Sequence, residues 1–124
     1  MRIAFTDREL DVMSVLWDAE SATVAEVRER LVDDLAYTTV LTVLRTLEHK
    51  GYVGYTGEGR AHRYHPLVKR EAAGRNAVRR LVDKVFQGSP ELLMTQLVSD
   101  KNLSDEELRR LRRLLAARLK GGGK

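Results

Sequence analysis

The chain has 124 residues, of which 43% are apolar and 32% charged, with a net charge of +4 and no cysteine. That apolar mass suffices for a core and excludes a disordered tail. The lack of cysteine excludes disulfides, thiol catalysis and thiolate metal ligands. No apolar run approaches the ~18 residues of a membrane span, and no signal-peptide apolar region precedes the charge at Asp7. The expectation is a cytoplasmic protein without membrane insertion, built as one domain or one domain with an appendage.

The charge changes sign along the chain. Residues 1–35 hold four Lys/Arg against nine Asp/Glu; residues 36–66 hold four against two, with all three histidines; residues 67–124 hold fourteen against seven. A basic surplus suggests a polyanion partner.

Thr6 and Glu9 have capping-box spacing and open a first helix, with Leu10, Met13, Leu16 and Trp17 at helical spacing. Thr23 and Glu26 repeat the box and open a short second helix. Its apolar residues are Val24, Val27 and Leu31. Asp33 to Leu35 reads as a turn. A third helix is expected from about Tyr37 to Lys50 on the stripe Val40, Val43, Leu44 and Leu47, with Gly51 ending it in the left-handed conformation. Thr38, Thr42, Arg45 and His49 point away from that stripe, flanked by Thr39 and Thr46. Two β-rich runs, Tyr52 to Thr56 and Arg60 to His65, surround Gly57-Glu58-Gly59 and read as a hairpin that Pro66 closes. A fourth helix follows from about 69 to 86, with Val78, Leu81, Val82, Val85 and Phe86 on one face and Gly88 as cap. Ser89-Pro90 starts a fifth helix carrying Leu93, Met94, Leu97 and Val98. Ser104 and Glu107 cap a sixth, striped by Leu108, Leu111, Leu115 and Leu119. Residues 121–124 read as a flexible tail.

Three short helices followed by a hairpin is winged-helix order. The fold class is therefore mainly α with a small β-hairpin: a winged helix-turn-helix over residues 1–66, then a helical dimerisation domain over 67–120. Helix three would enter the major groove. Its open face holds Thr38, Thr39, Thr42, Arg45 and Thr46, small hydroxyls and a fork for guanine, which suit base edges and phosphates. The wing would bring Arg60, His62 and Arg63 to phosphates. The second half offers Leu81, Val85, Leu93, Leu97, Leu108, Leu111 and Leu115 with few residues to cover them, which dimerisation solves.

Other readings are weaker. Trp17 reads as core beside Met13 and Leu10, and Tyr52, Tyr55 and Tyr64 as packing of the wing. His62 and His65 fall on opposite sides of a strand, which makes poor chelation. No Ser-His-acid order, glycine-rich elbow or phosphate loop is present. No enzyme, cofactor or metal site is expected. The run Arg109 to Arg113 reads as a solvated helix face, with a second DNA contact as the alternative.

The residues Leu10 to Trp17, Tyr37 to Leu47 with Lys50-Gly51, the wing Arg60 to Pro66, and Ser104 to Leu108 resemble the BlaI/MecI family of penicillinase and methicillin-resistance repressors, which also includes copper-responsive CopY-type members. The resemblance spans residues 5 to about 119. Its Ala36-Tyr37-Thr38-Thr39-Val40 version is similar to actinobacterial members. The resemblance implies a homodimeric winged-helix repressor of inverted-repeat DNA operators. In some members a membrane sensor that detects β-lactam triggers proteolysis in the C-terminal domain, which implies a sensor-linked protease as a partner. Three departures stand out. Gln96-Leu97 occupies the place of the Asn-Phe bond cut in the resistance repressors. The CopY-type cysteine motif is absent. Thr46 stands where many relatives have Arg.

The function expected is a DNA-binding repressor, with antibiotic-resistance or stress genes as its targets. The alternatives are a winged-helix adaptor for protein partners and a regulator with a small-ligand pocket.

Overall fold

The computed structural model describes residues 3–58 and 61–121. The elements run α1 (Asp7–Ala19), β1 (Ala22–Thr23), α2 (Val24–Arg30), α3 (Tyr37–His49), β2 (Val53–Glu58), β3 (Ala61–Pro66), α4 (Arg70–Val85), α5 (Pro90–Val98) and α6 (Asp105–Lys120). The chain divides into two compact units, Met1–Val78 and Arg79–Lys124.

In the first unit, local chemistry sets the helix starts. Thr6 with Glu9 and Thr23 with Glu26 each form a complete capping box, hydroxyl to amide and carboxylate to amide. Gly51 follows α3 with φ +83, a conformation that costs glycine nothing. Arg28 Nε donates to the Leu35 carbonyl at 2.7 Å, and Arg8 bridges to Asp33 at 2.8 Å. These bonds tie down both sides of the turn that sets α3 against α2.

The apolar faces of α1, α2 and α3 meet in one core. Val12, Met13, Leu16, Val27, Val40, Leu44 and Leu47 are fully buried there. Each such side chain contributes about 1.5–3 kcal/mol of burial. Tyr64 and Val53 bring the sheet into the same core. Val43, expected in the stripe of α3, sits at its margin and is only partly buried.

The sheet has three antiparallel strands in the order β1-β3-β2. β1 is a two-residue strand that pairs Ala22 with Tyr64 and Thr23 with Arg63. The hairpin is tighter than the sequence suggests. Gly57 and Glu58 stay in β2, opposite His62 and Ala61, and Pro66 pairs with Val53 as the last residue of β3. A Cβ on residue 57 would approach His62 Cδ2 to 3.3 Å, so glycine here serves close strand packing.

The unit boundary falls inside α4, beyond the Pro66–Leu67 junction that the turn chemistry marks. The reason is that the chain after the wing returns to α1. Trp17 Nε1 donates to the Val68 carbonyl at 2.8 Å, and Arg70 reaches Asp18 at 2.8 Å while its guanidinium lies over the Trp17 ring. Asn76 accepts from Ile3 N at 3.5 Å, and Ala73 is buried. Trp17 is thus a half-buried clamp at the edge of the core, with Phe5 edge-on at 6.2 Å.

The second unit comprises the end of α4, then α5 and α6. Ser89 caps α5 ahead of Pro90, and Ser104 with Glu107 completes a third capping box on α6. Neither α5 nor α6 contains a buried residue. Among the residues expected to dimerise, Leu81, Val85, Leu97 and Leu115 are exposed, and Leu93, Leu108 and Leu111 are partly covered. Gln96-Leu97 lies within α5.

Candidate nucleic-acid interface

The open side of α3 follows from its burial pattern. Val40, Leu44 and Leu47 take the inside, which turns Thr38, Thr39, Thr42, Arg45, Thr46 and His49 outward, all exposed. Glu48 is also exposed and borders this face, so an acid stands at its edge. Ala36 gives α3 no side-chain cap, so its first amides stay open to an anion.

The threonines are chemically more specific than their type suggests. Thr42 Oγ1 donates to the Thr38 carbonyl at 2.9 Å, and Thr46 Oγ1 donates to the Thr42 carbonyl at 2.9 Å. With its proton committed to the helix, each hydroxyl offers lone pairs and a methyl group outward. Such a group can accept from adenine or cytosine amino groups or contact a thymine methyl. It does not donate to a phosphate.

Tyr64 of the wing is buried in the same core as Val40, Leu44 and Leu47 of α3. Burial pushes its phenol up, the Glu48 charge adds to the effect and Arg45 opposes it. The tyrosine therefore lies within the field of the α3 side chains. On the same strand face, Tyr55 stacks on His62 with ring centroids 4.2 Å apart and leans on Tyr64 at 5.7 Å. Tyr55 and His62 are both exposed and form an aromatic platform on the wing. His65 is on the other side of β3, against Gly54. Of the packing tyrosines, Tyr52 and Tyr64 are buried and Tyr55 is open.

Of the expected wing contacts, Arg60 lies outside the described residues. Arg63 is engaged within the protein. Its guanidinium pairs with Glu26 at 3.1 Å and lies 3.4 Å from the Ser21 carbonyl and hydroxyl. The hydrogen bonds donated by the Thr23 backbone N–H and by Arg63 hold the Glu26 carboxyl below its ordinary range. Glu26 therefore both caps α2 and fastens β3.

A second tie fixes the far end of α3. Lys50 Nζ lies 2.8 and 3.0 Å from the two oxygens of Glu9, whose side chain is 6% exposed. Burial raises the Glu9 carboxyl, but Lys50 and the Thr6 cap outweigh it and leave it below the usual range. The sequence shows Glu9 as a cap and Lys50 as a helix end; only the fold joins them. Among the described residues no three His, Asp or Glu gather to hold a metal.

A helix-turn-helix closed by a paired wing, with hydroxyls and an arginine open on its third helix, defines a winged-helix DNA-binding protein. The sequence profile of the penicillinase repressor family matches residues 5–117, and the chain belongs to that family. It is 38% identical over 121 residues to the transcriptional regulator BlaI of Mycobacterium tuberculosis, covering 94% of this chain and 86% of that protein. It is 24% identical over 109 residues to the methicillin resistance regulatory protein MecI of Staphylococcus aureus, covering 86% and 89%. The solved DNA-binding domain of the repressor BlaI aligns at 30% identity with a TM-score of 0.52, covering 58% of this chain and 90% of that domain. The family consists of transcriptional repressors, not enzymes.

Proposed function

We propose that the chain represses transcription as a homodimer on an inverted-repeat operator. In this reading α3 enters the major groove and the wing follows the backbone. The observation that supports it best is the open face of α3, where Arg45 stands among Thr38, Thr39, Thr42 and Thr46. Arg45 forks onto guanine. Thr42 and Thr46 accept from base amino groups or meet thymine methyls. His62 and Arg60 serve phosphates, and Arg63 holds the wing in place through Glu26.

The dimer is supported by the second unit. Leu81, Val85, Leu97 and Leu115 leave an apolar surface that one copy does not cover, and a two-fold pair matches a palindrome. The relatives' names, penicillinase repressor and methicillin resistance regulatory protein, support β-lactam resistance genes as targets of a cytoplasmic regulator. Loss of pairing, by a sensor-linked protease at Gln96-Leu97 or otherwise, would release the operator, since each half-site alone holds one protomer weakly. No helix among the described residues is long and apolar enough to cross a membrane.

The test is binding of the purified chain to promoter DNA upstream of its own gene, with random-sequence competitor and a salt titration. Saturable, competitor-resistant binding of two protomers per inverted repeat is the expected result. Binding that random DNA abolishes would favour the second reading, a protein adaptor. The acidic balance of residues 1–35 is the observation in that reading's favour.

A further inference from the structure

The unit that carries α3 and the wing has little charge with which to attract a polyanion. Residues 1–78 hold eleven Lys/Arg and twelve Asp/Glu, a net of −1, whereas residues 79–124 hold eleven and six, a net of +5. That surplus gathers on α6. Its acids, Asp105, Glu106 and Glu107, all sit in the first turn, where they complement the helix dipole. From Leu108 to Lys120 the helix has no acid at all.

Arg109, Arg112, Arg113 and Lys120 are exposed. At 100° per residue they fall within a sector of about 100° that excludes Leu111 and Leu115, over about 17 Å of helix. None of the four makes an ion pair among the described residues, whereas Arg110 pairs with Glu106 at 3.2 Å. Asp105 opens the same face one turn before Arg109; beyond it the face carries no acid, whereas a solvated helix face mixes signs.

We propose that this stripe is a second contact for duplex DNA, one that engages phosphates without regard to sequence and is separate from α3 and the wing. The proposal rests on the reading above that the chain is a DNA-binding repressor. Duplex DNA fits better than an anionic membrane. A membrane-bound amphipathic helix needs its apolar face free, and the apolar face of α6 belongs to the proposed dimer surface. Two protomers would present two stripes, adding to the wing's phosphate contacts a further affinity for any duplex.

The test uses the full-length chain and the exposed quadruple variant R109Q/R112Q/R113Q/K120Q, with helix content and dimerisation checked by circular dichroism and sedimentation. On a random-sequence duplex the variant should bind at least about tenfold more weakly at low salt, with a log–log salt slope shallower by about 2 to 4. Its preference for operator over random duplex should rise. R109K/R112K/R113K keeps the charge and should keep the wild-type slope. An unchanged affinity and slope on random duplex overturns the proposal. So does a loss confined to phosphatidylserine vesicles, which would assign the stripe to a membrane surface. The parent reading fails differently: the wild-type chain would then not distinguish operator from random duplex, whatever the variant does.

Discussion

The two units solve the same problem in opposite ways. The first buries side chains from α1, α2, α3 and the sheet in one core, with Leu16, Leu44 and Leu47 at zero exposure. The second keeps Val82 as its buried apolar residue among those described, and leaves Leu119 81% exposed. The first also spends its charges on internal ties, Glu9 with Lys50 and Glu26 with Arg63, while α6 leaves Arg109, Arg112 and Arg113 exposed. The lesson is a division of labour. In the proposed reading, the unit that would hold a precise face toward base edges is internally complete, and the unit that would pair with a second copy is left incomplete.

The largest expected effect tests that division directly. Leu16→Ala should cost about 2–5 kcal/mol of stability, measured by urea unfolding, and the cost should not depend on protein concentration. Leu115→Glu should instead leave the first unit's unfolding in place and shift dimer dissociation in sedimentation. If Leu115→Glu unfolded the whole chain at any concentration, the two units would not be separable in this way. Next in size is Arg45→Ala. It should weaken operator binding by about 1–3 kcal/mol and relax the preference for one base. Equal affinity of wild type and variant for every probe would remove Arg45 from base readout.

How legible each unit was in the sequence follows from the range of its interactions. All three capping boxes, Thr6 with Glu9, Thr23 with Glu26 and Ser104 with Glu107, span three residues and were readable, as was Gly51 after α3. The open face of α3 followed from helical period alone. β1 was not readable, because two residues become a strand only by pairing with Tyr64 and Arg63 some forty positions away. The same holds for the bond from Trp17 to Val68 and for the Glu9–Lys50 pair. Residue type suggested phosphate for Arg63, and its carboxylate partner lay 37 positions distant in α2. The donation of the Thr42 and Thr46 hydroxyls to the helix is local, and i−4 spacing could have revealed it.

The Glu9–Lys50 tie sharpens the contrast at the level of pH. Glu9 is held below the ordinary carboxylate value of 4.5 when folded. Its contribution is therefore present above that value and disappears as pH falls through the lower folded one. Glu9→Gln should cost about 1–2 kcal/mol at neutral pH, discounted because Lys50 keeps contact with water. The gap between wild type and variant should shrink as pH falls from 4.5 and close below the lower folded value. A gap that persisted there would mean that packing, not charge, makes the tie.

The smallest expected effect concerns Arg63 and decides between two roles for one side chain. Its guanidinium lies between β3 and the start of α2, bonded to Glu26 and within reach of Ser21. Both partners of the ion pair are about half exposed, so Arg63→Ala should cost little stability. If Arg63 positions the wing, the variant should bind operator somewhat more weakly with an unchanged salt slope, and Glu26→Gln should do the same. If instead Arg63 leaves Glu26 for a phosphate on binding, the slope should fall by about 0.9 per protomer. In that case Glu26→Gln should strengthen binding, because it frees the arginine. The two variants therefore move affinity in the same direction in one case and in opposite directions in the other, and a salt titration of both separates a strut from a contact.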